Sequence, residues 1–319
     1  MSDGTRDARA LAVLLALGVV WGASFLFIKV IVDETAALEL VAARLLIGAV
    51  CVVAFLAVSG RGLRLTPAAL ALTVPMAAIS NVVPFALIAW GEEHIDSGIA
   101  AVLNSTMPIF TAAFAAVVFA DERFTIVRAM GLALGFFGVI VLTGDDALHL
   151  TDSNVLGELA VIAAAACYAV GNVVFRTLLR GTDPVSLSAL QLVAGTALAV
   201  IVLMAASGGS PDYSLSVEAW LSLLALGIGG TGAGYIAYLW LIEVTGSVRA
   251  SLVTYVIPII GLFLGWLVLD ESIGLNTVLG SLLIIAGVAV VIGGRAPTRE
   301  MAPVTQVAGV NYGRPSGGS

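Results

Sequence analysis

The chain alternates long apolar runs with short breaks marked by Gly, Pro or charge. Read against those breaks, it predicts about ten helices, at 10–32, 38–59, 68–90, 97–119, 125–143, 155–178, 186–206, 217–241, 246–269 and 275–293. Each run approaches the length at which a helix rising 1.5 Å per residue crosses the hydrocarbon layer. Connections are short, as antiparallel neighbours require; the longest are 144–154 and 207–216. From Arg295 the chain turns polar and rich in Gly and Pro, which predicts a disordered tail.

Composition fixes the solvent. The 319 residues are 60% hydrophobic and 11% charged, with mean hydropathy +1.09. Soluble domains are nearer half apolar and a quarter charged. The expectation is an all-α integral membrane protein whose surroundings are lipid. The first apolar run follows Arg6 and Arg9, as a signal peptide's would, but is too long for a signal's apolar region and reads as a retained helix.

Two stretches are spelled nearly alike. "MPIFTAAFAAVVFADE" begins at Met107 and "IPIIGLFLGWLVLDE" at Ile257, each a proline-led apolar run closed by an acid pair, Asp121-Glu122 and Asp270-Glu271. Nine residues beyond each glutamate stands a glycine, Gly131 and Gly280, and seven further another, Gly138 and Gly287. Upstream, Trp21 and Lys29 stand eight apart, as do Tyr168 and Arg176; Arg44 and Gly48 match Gln191 and Gly195; Trp90 and Ser97 match Trp240 and Ser247. The pattern predicts one five-helix unit occurring twice, over 10–143 and 155–294, joined by an outer linker at 144–154. An odd number of spans makes the second unit enter from the opposite face, so the ten transmembrane helices form two inverted five-helix repeats. The acid pairs then close spans on opposite sides of the bilayer, as interface markers and not as one carboxylate site.

Charge gives the orientation. With the N-terminus (1–9) in the cytoplasm, Arg6, Arg9, Arg61, Arg64, Arg123, Arg128, Arg176, Arg180, Arg249, Arg295, Arg299 and Arg314 all face inward. The outer loops carry acids, among them Asp33, Glu34, Glu92, Glu93 and Asp96. The reading is a multi-pass protein of the plasma or inner membrane, with both termini and the tail at 295–319 cytoplasmic.

With these residues in view, "VWGASFLFIKV" (20–30), the doubled Pro–Asp-Glu–Gly–Gly pattern and the inverted layout resemble the EamA branch of the drug/metabolite transporter superfamily, over about residues 10–294. The resemblance implies a ten-helix transporter of small metabolites, often an amino-acid exporter. It also implies a central cavity between the halves, with helices five and ten peripheral.

The candidate site follows from polar residues inside spans. A charge at a helix centre is costly in lipid, so Lys29 and Arg44 need a reason. Two readings stand: snorkelling or pairing with Glu39, or a cation at the cavity mouth that meets a substrate carboxylate. Helix breakers at matching places in two halves point to a binding site. Pro84 matches Gly234, and Pro108 matches Pro258. Beside these breaks lie Asn81, Asn104, Thr106, Thr231, Tyr235, Thr254 and Tyr255, while Tyr168 and Asn172 share a face of helix six. As a substrate-binding set we take Lys29, Asn81, Asn104, Tyr168, Asn172, Tyr235 and Tyr255; helix-to-helix hydrogen bonding is the competing role for each.

Other chemistry finds little support. Gly227, Gly229 and Gly232 spell G-x-G-x-x-G inside a span, without the strand a dinucleotide site requires. They read as close helix approach or local unwinding. Gly131, Gly135 and Gly138 read as a packing face within the chain or in a homodimer, leaving a monomer or homodimer open. Cys51 and Cys167 read as small core residues, and both histidines fall in outer loops. The chain therefore predicts no catalytic residues, metal, cofactor or nucleic-acid partner; its partner is a small-molecule substrate. With no Asp or Glu mid-span, a facilitator or weakly coupled carrier is expected. Broad export of amphipathic drugs is the alternative, and would call for an aromatic cavity with a buried acid. An intramembrane enzyme or a receptor stands behind both.

Overall fold

The computed structural model describes residues 3–60, 62, 65–118, 125–144, 153–178, 182–207, 211 and 213–293. The acid pair Asp121-Glu122, most of the linker and the tail lie outside these residues. Among the described residues every regular element is helical. Eight helices among these residues are long and apolar enough to cross a membrane. In chain order the elements are α1 (Asp3–Val32), α2 (Ala37–Ser59), α3 (Thr73–Glu92), α4 (Ser97–Val118), α5 (Ile126–Thr143), α6 (Ser153–Leu178), α7 (Pro184–Ser207), α8 (Val217–Thr245), α9 (Val253–Val268) and α10 (Leu275–Gly293). In α5 and α9 the shorter apolar stretches Ala129–Thr143 and Val253–Val268 fall below that length. One-turn helices at Pro67–Ala71 and Ser247–Ala250 lead into α3 and α9.

The breaks have local causes. Pro84 has no amide to donate, and the backbone just ahead of it widens into a π-helical turn over Ala78–Val82. Its counterpart in α8, the π segment Ala225–Ala233, contains the glycine run. A Cβ on Gly227 would strike Ile47, at 2.7 Å, and one on Gly232 would strike Cys51, at 2.5 Å, so α2 lies directly on the widened turn. In α4 a turn at 105–106 precedes Pro108, where Ser105 and Thr106 hydroxyls donate to the Val102 and Leu103 carbonyls at 2.6 Å each. In lipid such partners are obligatory, because no water satisfies a freed carbonyl.

Each of α1 to α5 makes its largest contact with a helix of the second half. α1 lies on α9 and α8, α2 on α7 and α8, α3 on α6 and α7, α4 on α9 and α6, and α5 on α10. Adding five to every first-half label and subtracting five from every second-half label returns the same set of pairs. The α5–α10 contact is built from the glycines. A Cβ on Gly131 would lie 2.9 Å from the Gly287 carbonyl, and one on Gly138 would lie 2.9 Å from the Gly280 carbonyl. The small-residue face is thus filled from within the chain, and α5 and α10 touch the remaining helices mainly through α4.

Candidate functional site

The two π segments and α2 bring a charged group to the middle of the bundle. Arg44 is 7% exposed, its guanidinium lies 3.7 Å from the Phe85 ring centroid, and its Nε donates to Thr231 Oγ1 at 2.9 Å. Thr231 passes a hydrogen bond of 3.3 Å to the Leu226 carbonyl, five residues back, as a widened turn permits. Tyr235, one turn further on, donates to Asn81 Oδ1 at 3.2 Å. Tyr168 packs edge-on against Phe85, 6.4 Å between ring centroids. Tyr168, Tyr235 and the carboxyl of Glu92 all lie within electrostatic reach of Arg44. Trp21 Nε1 donates to the Gly230 carbonyl at 2.9 Å, tying α1 to the same widened turn.

Of the residues expected to bind substrate, the structure therefore gathers Asn81, Tyr168 and Tyr235 around Arg44. Asn104 holds a buried Oδ1 that has no hydrogen-bond partner among the described residues. Asn172 is exposed and reaches Met107 Sδ at 3.9 Å. Tyr255 packs on the main core from α9.

Lys29 is placed differently. Its Nζ donates to the Glu92 carbonyl at 2.6 Å and the Ile95 carbonyl at 3.4 Å, closing the end of α3. The last carbonyls of a helix lack intrahelical donors, and a lysine supplies one while favouring the negative end of the dipole. Lys29 also lines a cleft of about 350 Å³ together with Asp33, Asp96, Asp270, Glu271 and Ser272. We call this the acidic end. Here Glu271 accepts from the Ser97 and Gly98 amides and caps α4, so it is more than an interface marker. Asp96 has its pKa raised by burial first and then by the Glu271 carboxylate, against the opposing Lys29 charge. Glu34 is held low by the Ser216 hydroxyl and amide, which outweigh a small opposing effect of burial.

Sequence reasoning missed one residue outright. Glu92 reads as a loop acid, yet it is 0% exposed, and neither carboxylate oxygen has a hydrogen-bond partner among the described residues. It ends α3 where that helix meets α6. A Cβ on the preceding Gly91 would lie 2.9 Å from the Gly157 carbonyl, so the two helix backbones come close at this end. A glycine next to an acid at a span end was the only available signal. Among the described residues, no group of three His, Cys, Asp or Glu is placed to hold a metal. The arrangement suits recognition of a small anion: one guanidinium, backed by an aromatic face and flanked by hydroxyl and amide groups.

Comparison with known proteins adds a frame to this geometry. The model of the EamA-like transporter family matches residues 8–144 and again 155–293. The uncharacterized transporter YoaV of Bacillus subtilis is 28% identical over 275 residues, covering 86% of this chain and 94% of its own. A protein of Streptantibioticus cattleyicolor named "Probable terminal-alkyne amino-acid exporter" is 28% identical, covering 89% and 93%. A solved crystal structure superposes with TM-score 0.63 at 20% identity, over 89% of this chain and 96% of that one, a likeness of fold.

Proposed function

The chain belongs to the EamA-like transporter family, and from that premise we propose that it is a secondary transporter or facilitator, not an enzyme, exporting small polar metabolites such as amino acids. All ten helices span the membrane as two inverted units, and substrate passes between them by alternating access. The self-consistent contact pattern between halves and the matched π segments support this layout. The acidic end faces outward, both termini are cytoplasmic, and the membrane is the plasma or inner membrane.

The observation that carries the substrate class is the buried Arg44. A cation enclosed by lipid-embedded helices marks a substrate path by default, and a guanidinium on an aromatic face is built to receive a carboxylate. A relative named as an amino-acid exporter agrees with that choice. Flux into and out of liposomes carrying the purified protein, screened over amino acids, nucleosides and sugar phosphates, tests it. Amino-acid flux is expected. Flux confined to neutral nucleosides would overturn the reading.

Export of cationic amphipathic drugs is the second reading. Glu92 supplies the buried acid it calls for, and Phe85, Tyr168 and Tyr235 supply aromatic surface. The Arg44 charge repels cations from the same place. Efflux of a lipophilic cationic dye that amino acids fail to inhibit would favour this reading over the first.

A further inference from the structure

Glu92 lies within electrostatic reach of Arg44, and its setting is unusual for a carboxylate. It is fully buried, and no donor reaches either oxygen among the described residues. The nearest ammonium, Lys29, is committed to backbone carbonyls, one of them Glu92's own. An ionised carboxylate in that state lacks both water and hydrogen bonds, and such a group sheds its charge by binding a proton. Three charged groups act on its carboxyl: Lys29 from α1, Arg44 from α2 and Glu271 from beyond α9. They join it to what lies on either side. Lys29 and Glu271 line the acidic-end cleft, and Arg44 holds the central cluster together.

We propose that Glu92 is the proton-binding site of this transporter, and that it binds its proton together with a carboxylate substrate at Arg44. The sign follows from charge. With Arg44 unoccupied, its positive charge favours the ionised Glu92. A carboxylate bound to Arg44 cancels that charge, leaving Glu92 facing the Glu271 carboxylate with less compensation. The proton then goes on: one hydronium entering through the cleft gives its proton to a Glu92 oxygen and leaves as water. By linkage the proton tightens carboxylate binding as much as the carboxylate tightens proton binding. One proton therefore travels with each carboxylate, and an acidic exterior slows carboxylate efflux. This departs from the expectation of a facilitator or weakly coupled carrier, which rested on finding no Asp or Glu mid-span.

The co-binding rests on the substrate reading above; the proton site does not, so the test has two arms. In the first, ligand-free protein in liposomes is titrated by infrared difference spectroscopy. A protonated-carboxyl band that appears as the pH falls, before the exposed carboxylates titrate, and that is missing in Glu92→Gln is expected; the same band in the variant would overturn the proton site. In the second, a mixture of proteinogenic amino acids is presented to liposomes enclosing a pH dye. Lumen acidification accompanying amino-acid entry is expected, and the acidification per amino acid moved should vanish in Glu92→Gln. Entry into wild-type liposomes without acidification, or with alkalinisation, would overturn co-binding even if the variant failed to fold. If no amino acid moves at all, the substrate class and the co-binding built on it fall together, and the infrared arm still decides the proton site.

Discussion

Glu271 accepts hydrogen bonds from the backbone amides of Ser97, at 2.7 Å, and Gly98, at 3.0 Å, from 174 and 173 residues away. A carboxylate from the second half thus caps a helix of the first. Asp96, the residue at the cap position itself, makes no side-chain cap bond. Gly265 leaves room for the carboxylate, since a Cβ there would collide with Glu271 Oε2. Glu271→Ala leaves two helix-end amides without this partner, a loss of about 1–3 kcal/mol. We expect a lower melting temperature in detergent. A cysteine at Ser272 in the cleft should also react faster with a thiol reagent, as the two halves part more readily. Unchanged labelling would mean that the cap does not hold the cleft closed.

Orientation is tested at described, exposed positions. Cysteines at Glu93, on the acidic end, should react with an impermeant thiol reagent applied to intact cells. Those at Gly62 and Arg249, on the opposite end, should react only after permeabilisation. The reverse pattern would invert the protein in the membrane.

Some of this architecture was legible in the sequence, and the reason differs residue by residue. Gly131, Gly138, Gly280 and Gly287 stood out because only glycine lets two helix backbones touch, and such a need leaves a spaced signature. Pro84, through its missing amide, and the glycine run in α8 marked breaks too, though a π-helical turn cannot be told from any other break by composition. Arg44 and Lys29 were both legible as costly charges, but their partners were not. Thr231 lies 187 residues from Arg44, and the Glu92 carbonyl 63 from Lys29. Glu92 was misread because span ends are ordinarily wet; here the end of α3 packs on α6, where Gly91 meets Gly157, and no local pattern reveals that.

The α5–α10 crossing yields a stability prediction. A Cβ on Gly280 would stand 2.7 Å from both the Cα and the amide nitrogen of Leu142, backbone that cannot rotate away. Gly280→Ala should destabilise the protein by about 1–3 kcal/mol through overpacking. Because this pair lies outside the central cluster, the substrate range should not change. A melting curve and a flux screen on the same preparation check both halves of the statement.

Two acids give opposite pH signs. Asp96 has a raised pKa in the fold, so it binds its proton more tightly folded than unfolded. Its contribution favours the fold at low pH and declines as pH rises from the ordinary aspartate value through the raised one. Glu34 is lowered, so its contribution is present above the ordinary glutamate value and lost as pH falls through the folded one. Asp96→Asn should therefore raise the melting temperature at neutral pH, whereas Ser216→Ala, which removes the hydroxyl donor to Glu34, should lower it. Melting temperature against pH for both variants is the measurement. Solvent screening keeps both effects small, but their signs are opposite.

Arg44 and Lys29 separate recognition from scaffolding. Arg44→Met keeps an apolar chain beside Phe85 but removes the charge and the bond to Thr231. If Arg44 receives the substrate carboxylate, a lost charge-assisted hydrogen bond of about 1.5–3 kcal/mol weakens affinity roughly tenfold to more than a hundredfold. Arg44→Lys should restore little, because an ammonium cannot offer a planar fork to a carboxylate while stacking on the ring. Lys29→Met should behave otherwise. It strips a donor from the α3 carbonyls, so stability falls, while the preference for carboxylates stays with Arg44. Amino-acid affinity by competition in liposomes, measured beside melting temperature for all three variants, distinguishes the roles. Lost carboxylate preference in Lys29→Met, with Arg44→Met indistinguishable from wild type, would move the recognition site out of the bundle centre and into the acidic-end cleft.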